Sequence, residues 1–252
     1  MHLKLGEVSY IIVSSPSMAK EIMKTHDINF CDRPNLLLSN IFGYNATDIA
    51  FSPYGEHWRQ LRKICTLQLL SAKRVQSFRY LREEEVSNLI KSISASEGSV
   101  VNLSHKIFSM TSAITTRAAF GKRNKHQQEF KSAIKEIAKL LGGFCIADVF
   151  PSIKMLRTVS RAKTKFEKLH KEIDMILQDI IDDHKNIHNE ESKDEDLVDA
   201  LIKIQQENDQ SHDHPLTDDN MKSIILVSLQ PNLFTPLFQN LILLYKFKFI
   251  RF

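Results

Sequence analysis

Trp58, Leu61, Arg62 and Cys65 fall within the stretch YGEHWRQLRKIC at spacings of three and four residues, and Trp58 is the one tryptophan of the chain. If Glu56 to about Leu70 is a helix, these side chains share a face, while Arg59 and Lys63 turn away by about a quarter turn or more. An arginine set beside an indole and an aliphatic side chain calls for an anionic partner, because an unpaired buried guanidinium is costly. The guanidinium offers a planar donor fork matched to a carboxylate, and the indole N–H adds a donor nearby. The chemistry open to Trp58 and Arg62 is capture of a ligand by its acid groups. The plain alternative is an amphipathic helix from which Arg62 snorkels to solvent.

Other reactive types are placed less suggestively. His184 and His188 stand four residues apart, and His212, Asp213 and His214 follow in a polar loop. That set could ligate a surface metal, but polar linker sequence without an aromatic shell argues against it, and no metal ligand is assigned. Cys31, Cys65 and Cys145 form neither a CxxC nor a Cys/His pattern and read as reduced thiols. Walker, Rossmann and Gly-x-Ser-x-Gly motifs are absent, and no glycine follows Gly143 to build a phosphate cradle. Glu83, Glu84 and Glu85 read as a solvated helix face paired with nearby Lys and Arg. The net charge is +4, but acidic and basic residues alternate almost throughout, and without a basic block nucleic acid is not an expected partner. With 42% hydrophobic and 25% charged residues the chain is that of a globular protein. Its first residues lack a basic segment followed by a long apolar run. Neither a secretory signal nor an N-terminal anchor is therefore expected, and a cytoplasmic location is the default.

The elements that must position Trp58 and Arg62 are overwhelmingly helical. HLKLGEV and YIIVSS read as a hairpin or two paired strands. SPSMAKEIMKTH follows as a helix capped by Ser15 with Pro16 at its first position. Further helices are expected over Glu56 to about Leu70 and over Ser71 to Ile93, the latter with Val75, Phe78, Leu81, Val86, Leu89 and Ile93 on near-helical spacing. Asn102 to about Phe120 and Glu129 to Leu141 come next, the second ended by Gly142 and Gly143. Arg161 to His184 carries the clearest stripe: Phe166, Leu169, Ile173, Ile176 and Ile180. A charged linker leads to a short helix, LVDALIKIQQ, and a polar loop leads to LTDDNMKSIIL, capped by Thr217. The last residues, VSLQPNLFTPLFQNLILLYKFKFIRF, do not continue that helix, because Pro231 and Pro236 interrupt it. The fold class is mainly α with a small N-terminal β element.

Five segments, in order, resemble the amino-terminal half of a plant microsomal cytochrome P-450, a haem-thiolate monooxygenase. They are FCDRPN (Phe30 to Asn35), Ile49 to Phe78 with its Trp-Arg-x-x-Arg, ADVFPS (Ala147 to Ser152), DLVDALI (Asp196 to Ile202) and LTDDNMKSII (Leu216 to Ile225). The resemblance implies a partial cytochrome P-450 domain over 1–226 and a divergent apolar tail over 227–252. It implies haem as cofactor, with Trp58 and Arg62 binding its propionates, and it likens the stretch from about Asn35 to Pro53 to the loop that helps select substrate. The implied reaction is insertion of one oxygen atom from O₂ into an apolar small molecule, with electrons from a NADPH-dependent reductase. The endoplasmic reticulum membrane is the family's alternative to a cytoplasmic location.

The departures from the family pattern are equally specific. The thiolate ligand of the family lies in a Phe-x-x-Gly-x-Arg-x-Cys-x-Gly loop, and none of the three cysteines stands in that context. The Ala-Gly-x-Asp/Glu-Thr segment of the central helix is absent as well. Glu56 and Arg59 match the family's Glu-x-x-Arg only by coincidence, in the wrong helix. The expectation is a fragment with no catalytic residue assigned, inactive alone. The rival is a non-catalytic helical interaction protein or a truncated gene product without function. A haem carrier using His57 or another histidine is a third reading.

Overall fold

Gly6 turns the first hairpin. β1 (His2–Leu5) and β2 (Val8–Ile11) pair antiparallel, with Leu3 opposite Tyr10 and Lys4 opposite Ser9. At Gly6 the backbone is left-handed (φ +62°), and a Cβ would stand 2.4 Å from the Val149 carbonyl oxygen, so only glycine fits. The hairpin is tied to the same segment by Glu7, whose N–H donates to Val149 O (2.9 Å) and whose carboxylate accepts from the Ser152 N–H (3.0 Å) and hydroxyl. The computed structural model describes residues 1–121, 127–141, 145–187, 195–209 and 216–228.

All else that is described is helix and loop. Ser15 caps α1 (Pro16–Lys20) by accepting from the Met18 N–H, and the chain runs on through one wider π turn (Glu21–Thr25). Two short helices follow, α2 (Asp27–Phe30) and α3 (Leu37–Phe42). α4 (Glu56–Ile64) widens in the same way into a π segment (Cys65–Leu69), together matching the expected Glu56 to Leu70. The expected helix from Ser71 to Ile93 is broken at Phe78 into α5 (Ala72–Ser77) and α6 (Arg79–Ser94). Its proposed apolar stripe is also not a core stripe: Leu81 alone of the six is buried, while Val75, Val86 and Ile93 are exposed. Helical spacing reports a face, not what covers it.

Asn102 caps α7 (Leu103–Phe120) by accepting from the His105 N–H, as expected from its type. α8 (Gln127–Leu141) follows, and Gly142 and Gly143 lie outside the described residues. α9 (Ile146–Val149) and α10 (Lys154–Val159) lead into α11 (Arg161–Ile187), the longest helix among the described residues. α12 (Leu197–Asp209) and α13 (Asp218–Ser228) complete the fold, and the tail from 229 to 252 lies outside the described residues.

The core gathers on α11, α12 and α13. Phe166, Leu169, Ile173 and Ile180 are buried as the stripe requires, Leu177 and Ile181 join them, and Ile176 packs partly buried at the edge. Every residue of α13 from Asn220 to Leu226 is buried, Lys222 included, which makes it an interior helix rather than a surface one. Lys222 is neutralised by α11: its ammonium lies 2.7 Å from Asp174 Oδ1, which also accepts the Tyr44 hydroxyl at 2.7 Å. Thr217 and Asn220 cap α13 reciprocally, each side chain accepting the other's backbone N–H at 3.2 Å.

Candidate functional site

α4 brings Trp58 and Arg62 together one turn apart on its face. The Arg62 guanidinium carbon lies 5.1 Å from the indole ring centre, within cation–π range. Leu61, Ile64 and Cys65 anchor the helix in the core, whereas Trp58 is half-buried and Arg62 exposed. Arg62 therefore does not need a protein carboxylate to offset burial. Among the described residues no acid stands within ion-pair distance of it, and its donor fork faces outward over an aromatic platform. Arg59, turned aside as the wheel predicts, pairs instead with Glu56 (3.8 Å) and lies over Tyr54.

The indole N–H, in contrast, is committed. Trp58 Nε1 donates to the Ile49 carbonyl at 3.0 Å. Its neighbours do likewise for the same loop: His57 Nε2 lies 3.0 Å from Thr47 O, and Arg33 Nε donates to Ala50 O at 3.0 Å. Asp48 works from the inside, one carboxylate oxygen accepting from the Ala50 and Phe51 N–H groups at 2.7 and 2.9 Å. Burial pushes the Asp48 carboxyl up to about 6, against the lowering effect of those N–H donors and of Arg33. Tyr44, Asn45 and Ala46 just before it are three successive left-handed residues (φ +49°, +62°, +57°), a strained path for side chains bearing a Cβ. The Tyr44–Asp174 bond and the Thr47 hydroxyl, which donates to Tyr44 O at 2.8 Å, hold that path in place. Residues 44–51 are thus clipped to α4, to Arg33 and to α11.

Arg33, Asp48 and His57 are the residues that spacing did not single out. Arg33 stands within FCDRPN and Asp48 within the stretch likened to the substrate loop, whereas His57 enters the sequence reading as a possible haem ligand and not as a contact of that loop. Cys65 is buried, which pushes its thiol up to about 11, burial also raises the Cys145 thiol, and Cys31 donates its S–H to Ile28 O at 3.1 Å. His184, Asp196 and Asp199 bring three ligand-type atoms within 4.8 Å of one another, while His188, His212 and His214 lie outside the described residues. Local bonds account for this cluster. Asp196 and Asp199 accept each other's N–H at the start of α12 (3.1 and 3.0 Å), and His184 bridges Ile180 O (2.7 Å) and Asp196 (3.0 Å).

The Cytochrome P450 family model matches residues 1–229 of the chain. The chain belongs to the cytochrome P450 family. Cytochrome P450 71D10 of soybean (Glycine max) is 54% identical over 233 residues, covering 89% of this chain and 44% of that protein. Germacrene A hydroxylase of Barnadesia spinosa is 49% identical, covering 90% of this chain and 45% of that protein. A zebra fish cytochrome P450 structure with progesterone superposes with a TM-score of 0.70 at 18% identity, over 97% of this chain and 56% of that one, and shares the fold. The chain spans about half the length of the curated P450 relatives it matches. Among the described residues no helix is long and apolar enough to cross a membrane.

Proposed function

We propose that this chain is the propionate-binding side of a P450 haem site and that it does not catalyse oxygen insertion by itself. The observation that carries the reading is Arg62: an exposed guanidinium stacked on the Trp58 indole, with no acid in reach among the described residues. One carboxylate fits that fork, and the indole beneath fixes the orientation of the guanidinium. Trp58 adds its N–H to a ligand only by parting from Ile49 O. In this reading the two residues bind and orient, and neither moves a proton. Bound haem supplies oxygen activation when a thiolate ligates its iron. None of Cys31, Cys65 and Cys145 stands in the family's Phe-x-x-Gly-x-Arg-x-Cys-x-Gly loop, which carries that thiolate.

In the complete family protein the reaction would insert one oxygen atom into an apolar small molecule, with electrons from a NADPH-dependent reductase. The substrate would be selected in part by the loop that Trp58, His57 and Arg33 hold. The test is a haemin titration followed by the Soret absorbance. Arg62→Ala should weaken haemin binding about tenfold, the effect of one charge-assisted hydrogen bond at an exposed site. Arg62→Lys should recover part of it. Trp58→Phe should cost less than Arg62→Ala, because its N–H is already engaged. Equal haemin affinity in wild type and Arg62→Ala would end the reading.

A further inference from the structure

The Ile49–Ala50 peptide group is held on both of its polar atoms at once. Its carbonyl accepts the Trp58 indole N–H at 3.0 Å, and its N–H donates to Asp48 Oδ1 at 2.7 Å. Both atoms lie in one rigid amide plane, so neither turns unless the other turns with it. The same Asp48 oxygen takes the Phe51 N–H at 2.9 Å, and Arg33 Nε donates to the next carbonyl, Ala50 O, at 3.0 Å. Asp48 thus acts on the indole through a single peptide group. Its own placement is costly: it is 2% exposed, yet Oδ2 has no hydrogen-bond donor among the described residues. A neutral side chain would avoid that cost, and what the carboxylate supplies in return is the pair of charge-assisted bonds to Ala50 and Phe51. The backbone leading into it, Tyr44 to Ala46, is left-handed at three successive non-glycine residues. The loop therefore rests under strain and moves when its pins are drawn.

We propose that Asp48 is a positioning residue of the Trp58–Arg62 site, fixing whether the indole N–H is kept by the loop or given to a bound carboxylate. The inference rests on the reading of that site as a holder of haem propionates. Trp58 has one N–H to give. While Asp48 pins the Ile49 carbonyl over it, a carboxylate lying on Arg62 draws on the guanidinium alone. When the Ile49–Ala50 peptide turns, the indole donor is free and the ligand gains a second bond. Loop and ligand compete for one donor, and by linkage each weakens the hold of the other to the same degree. The loop and the cofactor anchor form one coupled unit.

The test is a haemin titration of the chain followed by the Soret absorbance, with the sole tryptophan as a second reporter. Asp48→Ala should bind haemin about threefold to fivefold more tightly than wild type, the gain expected of one added hydrogen bond. Asp48→Asn keeps an oxygen for the Ala50 and Phe51 N–H groups and should bind as wild type does. In the Trp58→Phe background Asp48→Ala should give no gain, since the donor it frees is gone. Without haemin, Asp48→Ala should red-shift the Trp58 emission and Asp48→Asn should not, with the far-ultraviolet circular dichroism of both unchanged. In wild type, haemin should quicken exchange of the Ala50 amide. Equal or weaker haemin binding by Asp48→Ala, while Arg62→Ala still loses affinity, would overturn the coupling and leave the propionate reading standing. Equal affinity in wild type and Arg62→Ala would end that reading, and this inference with it. A gain that persists in the Trp58→Phe background, or an unmoved emission, would also overturn it. If Asp48→Ala does not fold, the wild-type exchange decides alone: an Ala50 amide unchanged or slowed by haemin overturns the proposal.

Discussion

Arg62 and Trp58 show how one helical turn can be read correctly in placement and still be incomplete in chemistry. Their shared face followed from spacing, but spacing has no means of showing that the indole N–H is taken by Ile49 O or that Arg62 points into solvent. His184 is the opposite case, a residue first weighed for metal that the fold uses for charge. Burial alone would lower the pKa of its imidazole, but the hydrogen bond and charge of Asp196, with Ile180 O, push it up to about 8. A folded pKa above the ordinary 6.5 means the protonated form binds the fold more tightly. The stabilisation is complete below about pH 6.5 and is lost as pH rises through about 8. Urea unfolding should therefore show about 1–2 kcal/mol less stability at about pH 9 than at about pH 6 from this group. His184→Ala should be less stable than wild type at the lower pH and should flatten that part of the profile. A variant that keeps the full slope would assign the slope to other groups.

The segment from Gly43 to Phe51 decides where Trp58 sits, and it is packed too closely to tolerate even a methyl group. A Cβ on Gly43 would stand 2.1 Å from Asp48 Oδ2 and 2.5 Å from the Ser39 carbonyl oxygen, and Asp48 is 2% exposed and held by the Ala50 and Phe51 N–H groups. Gly43→Ala should cost about 2–3 kcal/mol by overpacking, read as a lowered thermal midpoint. Exchange of the Ala50 and Phe51 amides should quicken with it, because Asp48 holds both. An unchanged midpoint would show that the loop yields where it is drawn as rigid. Helices whose signals are local were legible in advance. Ser15, Asn102 and Thr217 cap where their types direct, and the α11 stripe from Phe166 to Ile180 is core. The loop was not legible, because its conformation depends on partners far along the chain, Tyr44 on Asp174 above all. The break at Phe78 and the bare stripe of α6 escaped for a related reason: a periodic pattern states which residues align and is silent on whether anything lies against them.

At the scale of the whole molecule, the chain has the amino-terminal architecture of a P450 and about half the length of its relatives. α11, α12 and α13 form a buried centre, the clipped loop and α4 present Arg62, and α6 and α7 each carry exposed apolar side chains. Family resemblance in sequence was sufficient to name the fold. It also marked a departure from the family pattern, because the thiolate loop is a discrete motif and none of the three cysteines belongs to one. The central claim is that haem held here lacks thiolate ligation. The most direct measurement is the carbon monoxide difference spectrum of the purified chain after addition of haemin and reductant. No thiolate-type Soret band is expected, and any bound haem should respond to Arg62→Ala. A thiolate-type band at stoichiometric haem would contradict the claim outright.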